Sequence, residues 1–75
     1  MHMSSGFLLL ETRPGREGQV LDLLARYPGV THRNVLYPAA IAVRLEATSG
    51  VDTLAAQLRG LDGVVRTRLY RARHT

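Results

Sequence analysis

The second half of the chain repeats the apolar pattern of the first half, and this internal repeat restricts the possible folds more than any other feature. Apolar residues and glycines recur 34 residues apart, and Gly15 is matched by Gly50 at a separation of 35. A chain of 75 residues can build only one core, so both halves must pack within one domain. The pairs separated by 34 residues are Val20 and Leu54, Leu24 and Leu58, Tyr27 and Leu61, Gly29 and Gly63, and Val30 and Val64.

Each half has the pattern of a strand, a helix and a second strand. A short apolar run from Phe7 is followed by Pro14 and Gly15, which is typical of a strand that ends in a turn. Later apolar residues recur every three or four positions, as on one face of a helix. Ser49 and Asp52 resemble a capping box at the start of the second helix. The predicted elements are strands over 7–12, 31–37, 40–46 and 64–71, a helix from 17 that stops before 28, and a helix from 51 that stops at 60.

This order of elements predicts an α+β fold of the ferredoxin-like type, βαββαβ. Right-handed crossovers place both helices on one face of a four-stranded antiparallel sheet with the strand order 4-1-3-2. We expect residues 6–72 to form this single domain, after a flexible lead at 1–5 and before a tail at 73–75. The predicted helix-covered core consists of Val20, Leu24, Tyr27, Val43, Leu45, Leu54, Leu58 and Leu61.

The first strand has large apolar residues on both of its faces, because the run from Phe7 to Leu10 is unbroken. Either Phe7 and Leu9 or Leu8 and Leu10 must lie on the sheet face without helices, where water is an unfavourable neighbour. A second copy of the chain is the simplest cover, so we predict a dimer or a larger homo-oligomer. The predicted interface residues are Phe7, Leu9, Glu11, Arg44, Glu46, Arg66, Arg68 and Tyr70.

The sequence contains no recognisable set of residues for catalysis or for holding a metal or cofactor. It has no cysteine, no cluster of His and Asp at ligand spacing, and no nucleophile that can be paired with a base. We therefore expect a protein that is not an enzyme and binds neither metal nor cofactor. Domains this small usually gain stability from disulfides, a metal or a partner subunit. Since the sequence predicts neither of the first two, we expect this domain to be stabilised by association with another subunit.

Charge and hydropathy restrict the partners and the location. All ten basic residues are arginine and the formal charge is +4, which is compatible with phosphate binding. The predicted strand 40–46 has no aromatic residue on which a base could stack, so we do not expect this domain alone to bind nucleic acid.

No apolar run approaches the roughly 20 residues of a membrane span, and the N-terminus has no secretory pattern, which predicts a cytoplasmic protein. The composition, rich in Arg, Leu, Ala, Gly and Val, suggests a GC-rich genome such as that of some thermophiles.

Three segments, 7–15, 27–30 and 61–67, are similar to a known protein family. The similarity extends over nearly the whole chain. They read Phe-Leu-Leu-Leu-Glu-Thr-Arg-Pro-Gly, Tyr-Pro-Gly-Val and Leu-Asp-Gly-Val-Val-Arg-Thr. They resemble the effector-binding (RAM) domain of the Lrp/AsnC regulators in its stand-alone form. The resemblance implies a non-catalytic small-molecule-sensing or assembly module, which acts as an oligomer in transcriptional or metabolic regulation and holds an amino acid or another small ligand. The ligand contacts that it implies are Tyr37, Pro38, Ala39 and Ala40.

Segments 28–30, 42–46 and 63–70 are also similar to a second family, the NapD type of maturation chaperone. That resemblance implies a cytoplasmic protein that binds the twin-arginine signal peptide of a periplasmic nitrate reductase. A surface that binds an arginine-containing peptide is expected to be acidic, whereas this chain has a formal charge of +4. The sensor is therefore the favoured interpretation, and the signal-peptide chaperone is the alternative.

Overall fold

The structure, a computed structural model, describes residues 3–72 and confirms the ferredoxin-like fold. The elements follow in the order β1 (Ser4–Thr12), α1 (Glu17–Leu24), β2 (Val30–Leu36), β3 (Ala40–Ala47), α2 (Val51–Arg59) and β4 (Val64–Arg71). The strands form one antiparallel sheet in the order β2-β3-β1-β4, which is the predicted order read from the opposite edge. The predicted tail at 73–75 and the first two residues of the predicted lead lie outside the described residues.

The core lies between the two helices and one face of the sheet. Leu8 and Leu10 of β1 are buried there, opposite Val43 and Ile41 of the neighbouring strand β3. Successive side chains of a strand point to opposite faces, so Phe7 and Leu9 lie on the other face, which decides between the two predicted orientations. The buried core consists of Leu8, Leu10, Val20, Leu24, Ile41, Val43, Leu45, Val51, Leu54, Ala55 and Leu58.

The predicted core is correct for the residues at its centre and wrong for two at its margin. Tyr27 and Leu61 are only partly buried and pack against the core. Both follow a helix: α1 ends at Leu24 and α2 ends at Arg59. After α1 the N–H of Tyr27 donates to the carbonyl of Leu24 at 3.1 Å. This three-residue spacing tightens the chain into a turn, so that Tyr27 reaches the rim of the core.

β1 begins earlier than predicted. Ser4 and Ser5 belong to β1 and not to a flexible lead, because their backbone pairs with residues Ala47 and Glu46 of β3. The N–H of Ala72 also donates to the carbonyl of Ser5 at 3.0 Å. These ladder bonds hold the two serines in the sheet.

The predicted capping box at the start of α2 does not form. Gly50 is the N-cap residue, with φ of 99°, and no side chain donates or accepts a capping hydrogen bond. The carboxylate of Asp52 pairs with the guanidinium of Arg71 on β4 instead. A left-handed φ of this size favours glycine, so the backbone of Gly50 sets the entry into α2.

Candidate functional site

The sheet face opposite the helices, here called the free face, is a candidate functional site because no described element covers it. Alternate residues of the four strands form it, and the strand register aligns them in rows. One row consists of His32, Arg44, Phe7 and Tyr70. The next consists of Asn34, Ala42, Leu9 and Arg68. A third consists of Leu36, Ala40, Glu11 and Arg66.

All eight residues predicted for a subunit interface lie on the free face. Seven belong to the rows above, and Glu46 lies next to Arg44 on the same side of β3. The structure therefore brings together residues that the sequence separates by more than sixty positions. Their role in an interface stays a prediction.

The apolar part of the free face is exposed to solvent. Phe7 and Tyr70 are opposite one another on β1 and β4, and their exposed fractions are 56% and 52%. Leu36 at the β2 edge is 44% exposed, and Leu9 is half-buried between Ala42 of β3 and Arg68 of β4. Contiguous exposed apolar surface of this kind marks interaction sites on soluble proteins.

Charged side chains lie among and beside these apolar residues and are partly paired. Arg66 Nε donates to Glu11 Oε2 at 2.7 Å, and Arg44 Nη2 lies 3.4 Å from Glu46 Oε1. The hydrogen bond from Arg66, together with the charges of Arg66 and Arg68, holds the pKa of Glu11 below its ordinary value. Both pairs are open to water, where such contacts are individually weak, so each charge is able to exchange its partner.

A concavity of about 290 Å³ opens on the free face above β3. Its lining includes Phe7, His32, Asn34, Ala42 and Arg44. Ala42 lies between Asn34 of β2 and Leu9 of β1, and its methyl group is much shorter than the side chains on either side. The concavity therefore follows from one small residue in the middle of the sheet.

The β2–β3 hairpin contains the residues that the family resemblance implies as ligand contacts. Tyr37 is 89% exposed, and the peptide bond between Tyr37 and Pro38 is cis. The carbonyl of Ala39 accepts a hydrogen bond from the N–H of Thr12 at 2.9 Å, while Ala40 begins β3. The concavity above β3 does not include these four residues. The structure thus places Tyr37, Pro38 and Ala39 in the hairpin turn at one end of the sheet and Ala40 at the start of β3.

Sequence reasoning missed the contribution of β2 to the free face. His32, Asn34 and Leu36 complete the rows on this edge strand. The sequence contains the information needed to place β2, because a connection as short as 37–39 forces a hairpin in which Leu36 and Ala40 are opposite. The two-residue period of a strand then assigns Asn34 and His32 to the same face as Ala42 and Arg44.

Residues 3–72 contain neither a metal-binding cluster nor a membrane-spanning helix. In that range, no three or more His, Cys, Asp or Glu side chains come together in a group able to hold a metal ion. None of the described helices is long and apolar enough to cross a membrane.

Comparison with known proteins identifies solved structures of the same fold. No protein-family profile and no curated protein matches the chain. The crystal structure of FFRP-DM1 matches with a TM-score of 0.80 and 23% identity, over 92% of this chain and 97% of that chain. The solution NMR structure of the ACT domain from GTP pyrophosphokinase of Chlorobium tepidum matches with a TM-score of 0.52 and 14% identity, over 91% and 84%. At these identities the likeness shows the ferredoxin-like fold.

Proposed function

We propose that the chain is a non-catalytic regulatory module that senses a small molecule and acts as a homo-oligomer in the cytoplasm. The observation that carries this proposal is the free face, which presents exposed Phe7 and Tyr70 together with Arg44, Arg66 and Arg68. Aromatic residues and arginine are the residue types enriched at protein–protein interfaces. A second copy of the chain is the proposed cover.

Two further observations support a regulatory module. The sequence resembles the Lrp/AsnC effector domain in the segments that form most of β1, the turn between α1 and β2, and the start of β4. One of the solved structures with this fold is an ACT domain from GTP pyrophosphokinase, so the fold occurs as a module of a larger protein. The ligand that we propose for the hairpin residues 37–40 is an amino acid or a similarly small molecule.

Thermal denaturation in the presence of individual amino acids tests the sensing function. A ligand that binds only the folded state raises stability by about 2.7 kcal/mol when its concentration is 100 times Kd. We expect one amino acid, or a few amino acids with similar side chains, to raise Tm. The Tyr37→Ala variant is expected to show a smaller rise. Uniformly unchanged Tm values across the set would contradict amino-acid sensing.

The same experiment includes the alternative function as an outcome. A synthetic peptide with two consecutive arginines represents the twin-arginine signal peptide. The free face has three arginines against two glutamates, Glu11 and Glu46, so we expect this peptide to leave Tm unchanged. A Tm rise with this peptide, and none with amino acids, would favour the chaperone.

A further inference from the structure

We propose that the concavity above β3 binds a small carboxylate with a planar or branched apolar body, at the contact between two subunits. This inference rests on the proposed function, since a second copy on the free face would form the roof of the site. It is separate from the hairpin 37–40 that the family resemblance implies. The volume of about 290 Å³ is close to the lower limit of roughly 300 Å³ for small-molecule pockets, which restricts the ligand to a small one.

The lining of the concavity provides one strong anion-binding group. The guanidinium of Arg44 can form paired hydrogen bonds with a carboxylate. Its present partner is Glu46, at 3.4 Å, and the two side chains are 45% and 35% exposed. Because this contact is long and solvated, Arg44 is free to turn toward a carboxylate in the concavity.

The rest of the lining favours an apolar body with few polar contacts. The ring of Phe7 and the methyl group of Ala42 are the apolar surfaces, and the amide of Asn34 and the ring of His32 add hydrogen-bonding groups. The Nδ1 atom of His32 lies 3.3 Å from Thr31 Oγ1, which leaves its other ring nitrogen for a ligand. The combination of one arginine, two other polar side chains and an aromatic ring fits a carboxylic acid better than a phosphate, which is usually bound by several cations.

A partner subunit would complete the site. The concavity is open on the side of the free face, so a bound ligand would keep much of its surface in water. Phe7 and Arg44 belong both to this lining and to the predicted interface. A second copy placed on the free face would cover the ligand and exclude water from the contact between the carboxylate and Arg44, which strengthens it. Ligand binding and association are therefore expected to favour one another.

Titration of the ¹⁵N-labelled protein with benzoate tests this site. We expect saturable shifts at the amides of Phe7, Ala42 and Arg44 at millimolar benzoate, a concentration suited to a ligand this small. Arg44→Gln should weaken binding about tenfold or more, because it removes hydrogen bonds to a charged group. Ala42→Leu should abolish binding by filling the concavity. The matched controls are Arg33→Gln, on the opposite side of β2, and Ala56→Leu, on the exposed side of α2.

The probes and the mass of the protein separate the possible results. Benzyl alcohol lacks the charge and inorganic phosphate lacks the ring, so both should bind at least about tenfold more weakly than benzoate. Equal binding of either compound, or benzoate affinity unchanged in Arg44→Gln, would overturn the site. If the protein is a dimer and does not bind benzoate, the proposed site is also overturned. The interpretation would then be that side chains of the partner subunit fill the concavity. Benzoate binding by a monomer would support carboxylate binding in the concavity, but it would overturn the location of the site at a subunit contact.

Discussion

Gly29 shows how a single residue controls the approach of neighbouring elements. A Cβ atom added there would lie 2.6 Å from Leu54 Cδ2 and 2.7 Å from the carbonyl oxygen of Glu46. The carbonyl of Gly29 also accepts a hydrogen bond from the N–H of Glu46 at 2.8 Å. Because Glu46 belongs to the central strand β3, its backbone cannot move without disturbing the sheet. The position therefore requires glycine for its size.

We predict that Gly29→Ala lowers the free energy of unfolding by about 1–3 kcal/mol, the usual cost of adding atoms to a closely packed site. Gly18→Ala is the matched control, since a Cβ atom added at Gly18 in α1 meets no atom within 4 Å. Alanine is the better helix former, so this control should be neutral or up to about 1 kcal/mol more stable. Urea denaturation measures both. Equal stabilities of the two variants would show that the approach at Gly29 is looser than described.

We predict that the pKa of Glu11 lies below the ordinary glutamate value and rises in Arg66→Gln, which removes the hydrogen bond and charge that lower it. A lowered pKa in the folded state means that the pair stabilises the protein fully above the unfolded-state pKa. This contribution is lost as the pH falls through the folded-state pKa. NMR titration of the Glu11 carboxyl measures the change, with Arg59→Gln on α2 as the control. An unchanged pKa in Arg66→Gln would contradict the assigned cause.

At the scale of the elements, α2 is held by one apolar stripe. Val51, Leu54, Ala55 and Leu58 are the buried residues of this helix, and their spacing of three and four residues places them on one side. Leu58 is fully buried against the sheet. Removal of its side chain would leave a cavity that the surrounding sheet can only partly close.

We predict that Leu58→Ala lowers the free energy of unfolding by about 2–5 kcal/mol, the range found when a buried leucine is truncated. Gln57→Ala, next to it on the exposed side of α2, should change stability by less than about 0.5 kcal/mol. Chemical denaturation of the two variants measures the difference. A loss below about 0.5 kcal/mol for Leu58→Ala would mean that α2 does not pack as described.

The elements differ in how far their sequences predict them. The bounds of β4 agree with the prediction, since Gly63 precedes it and its residues are β-formers and arginines. The orientation of β1 was open, because four apolar residues in succession carry no two-residue period. It is decided by the register with β3, which is a contact between distant parts of the chain. The early end of α1 was also not predictable, because the turn up to Tyr27 keeps near-helical spacing while the N–H groups of Arg26 and Tyr27 bond to carbonyls three residues back instead of four.

The candidate site was predictable to a similar extent. The predicted interface residues share one face because strand alternation and the strand order together determine it. The concavity was not predicted, since it depends on which side chains of β2 and β1 lie beside Ala42. The sequence predicted which charged residues share the free face but not which of them pair. The pairing of Glu11 with Arg66 required the register of β1 with β4, whereas Arg44 and Glu46 are two residues apart on the same side of β3.

At the scale of the whole molecule, the central claim is that a second copy covers the free face. Burial of a fully exposed Phe or Leu contributes roughly 1.5–3 kcal/mol. Phe7 is 56% exposed and Leu9 is already half-buried, so each contributes only part of this amount in each of the two chains, against an association cost of at least about 4 kcal/mol. The arginines on this face would lose water in the contact, so they need Glu11 and Glu46 as partners. Charge matching on the free face is therefore predicted to control association.

A matched pair of charge reversals isolates this effect. Glu11→Arg places a positive charge beside Arg66 and Arg68 on the free face. Asp22→Arg makes the same change on the exposed side of α1, where Asp22 forms no ion pair with another described residue. Glu17 is a poorer control, since its carboxylate oxygens accept hydrogen bonds from the N–H of Gly15 at 3.0 and 3.1 Å.

Sedimentation velocity of the wild type, Glu11→Arg and Asp22→Arg at high micromolar concentration tests the claim most directly. The wild type and Asp22→Arg are expected to sediment as a dimer or a larger oligomer, and Glu11→Arg is expected to dissociate at a clearly higher concentration. Far-ultraviolet circular dichroism of each variant establishes that it is folded. A monomeric wild type at high micromolar concentration, or equal association of the two folded variants, would contradict the covered free face.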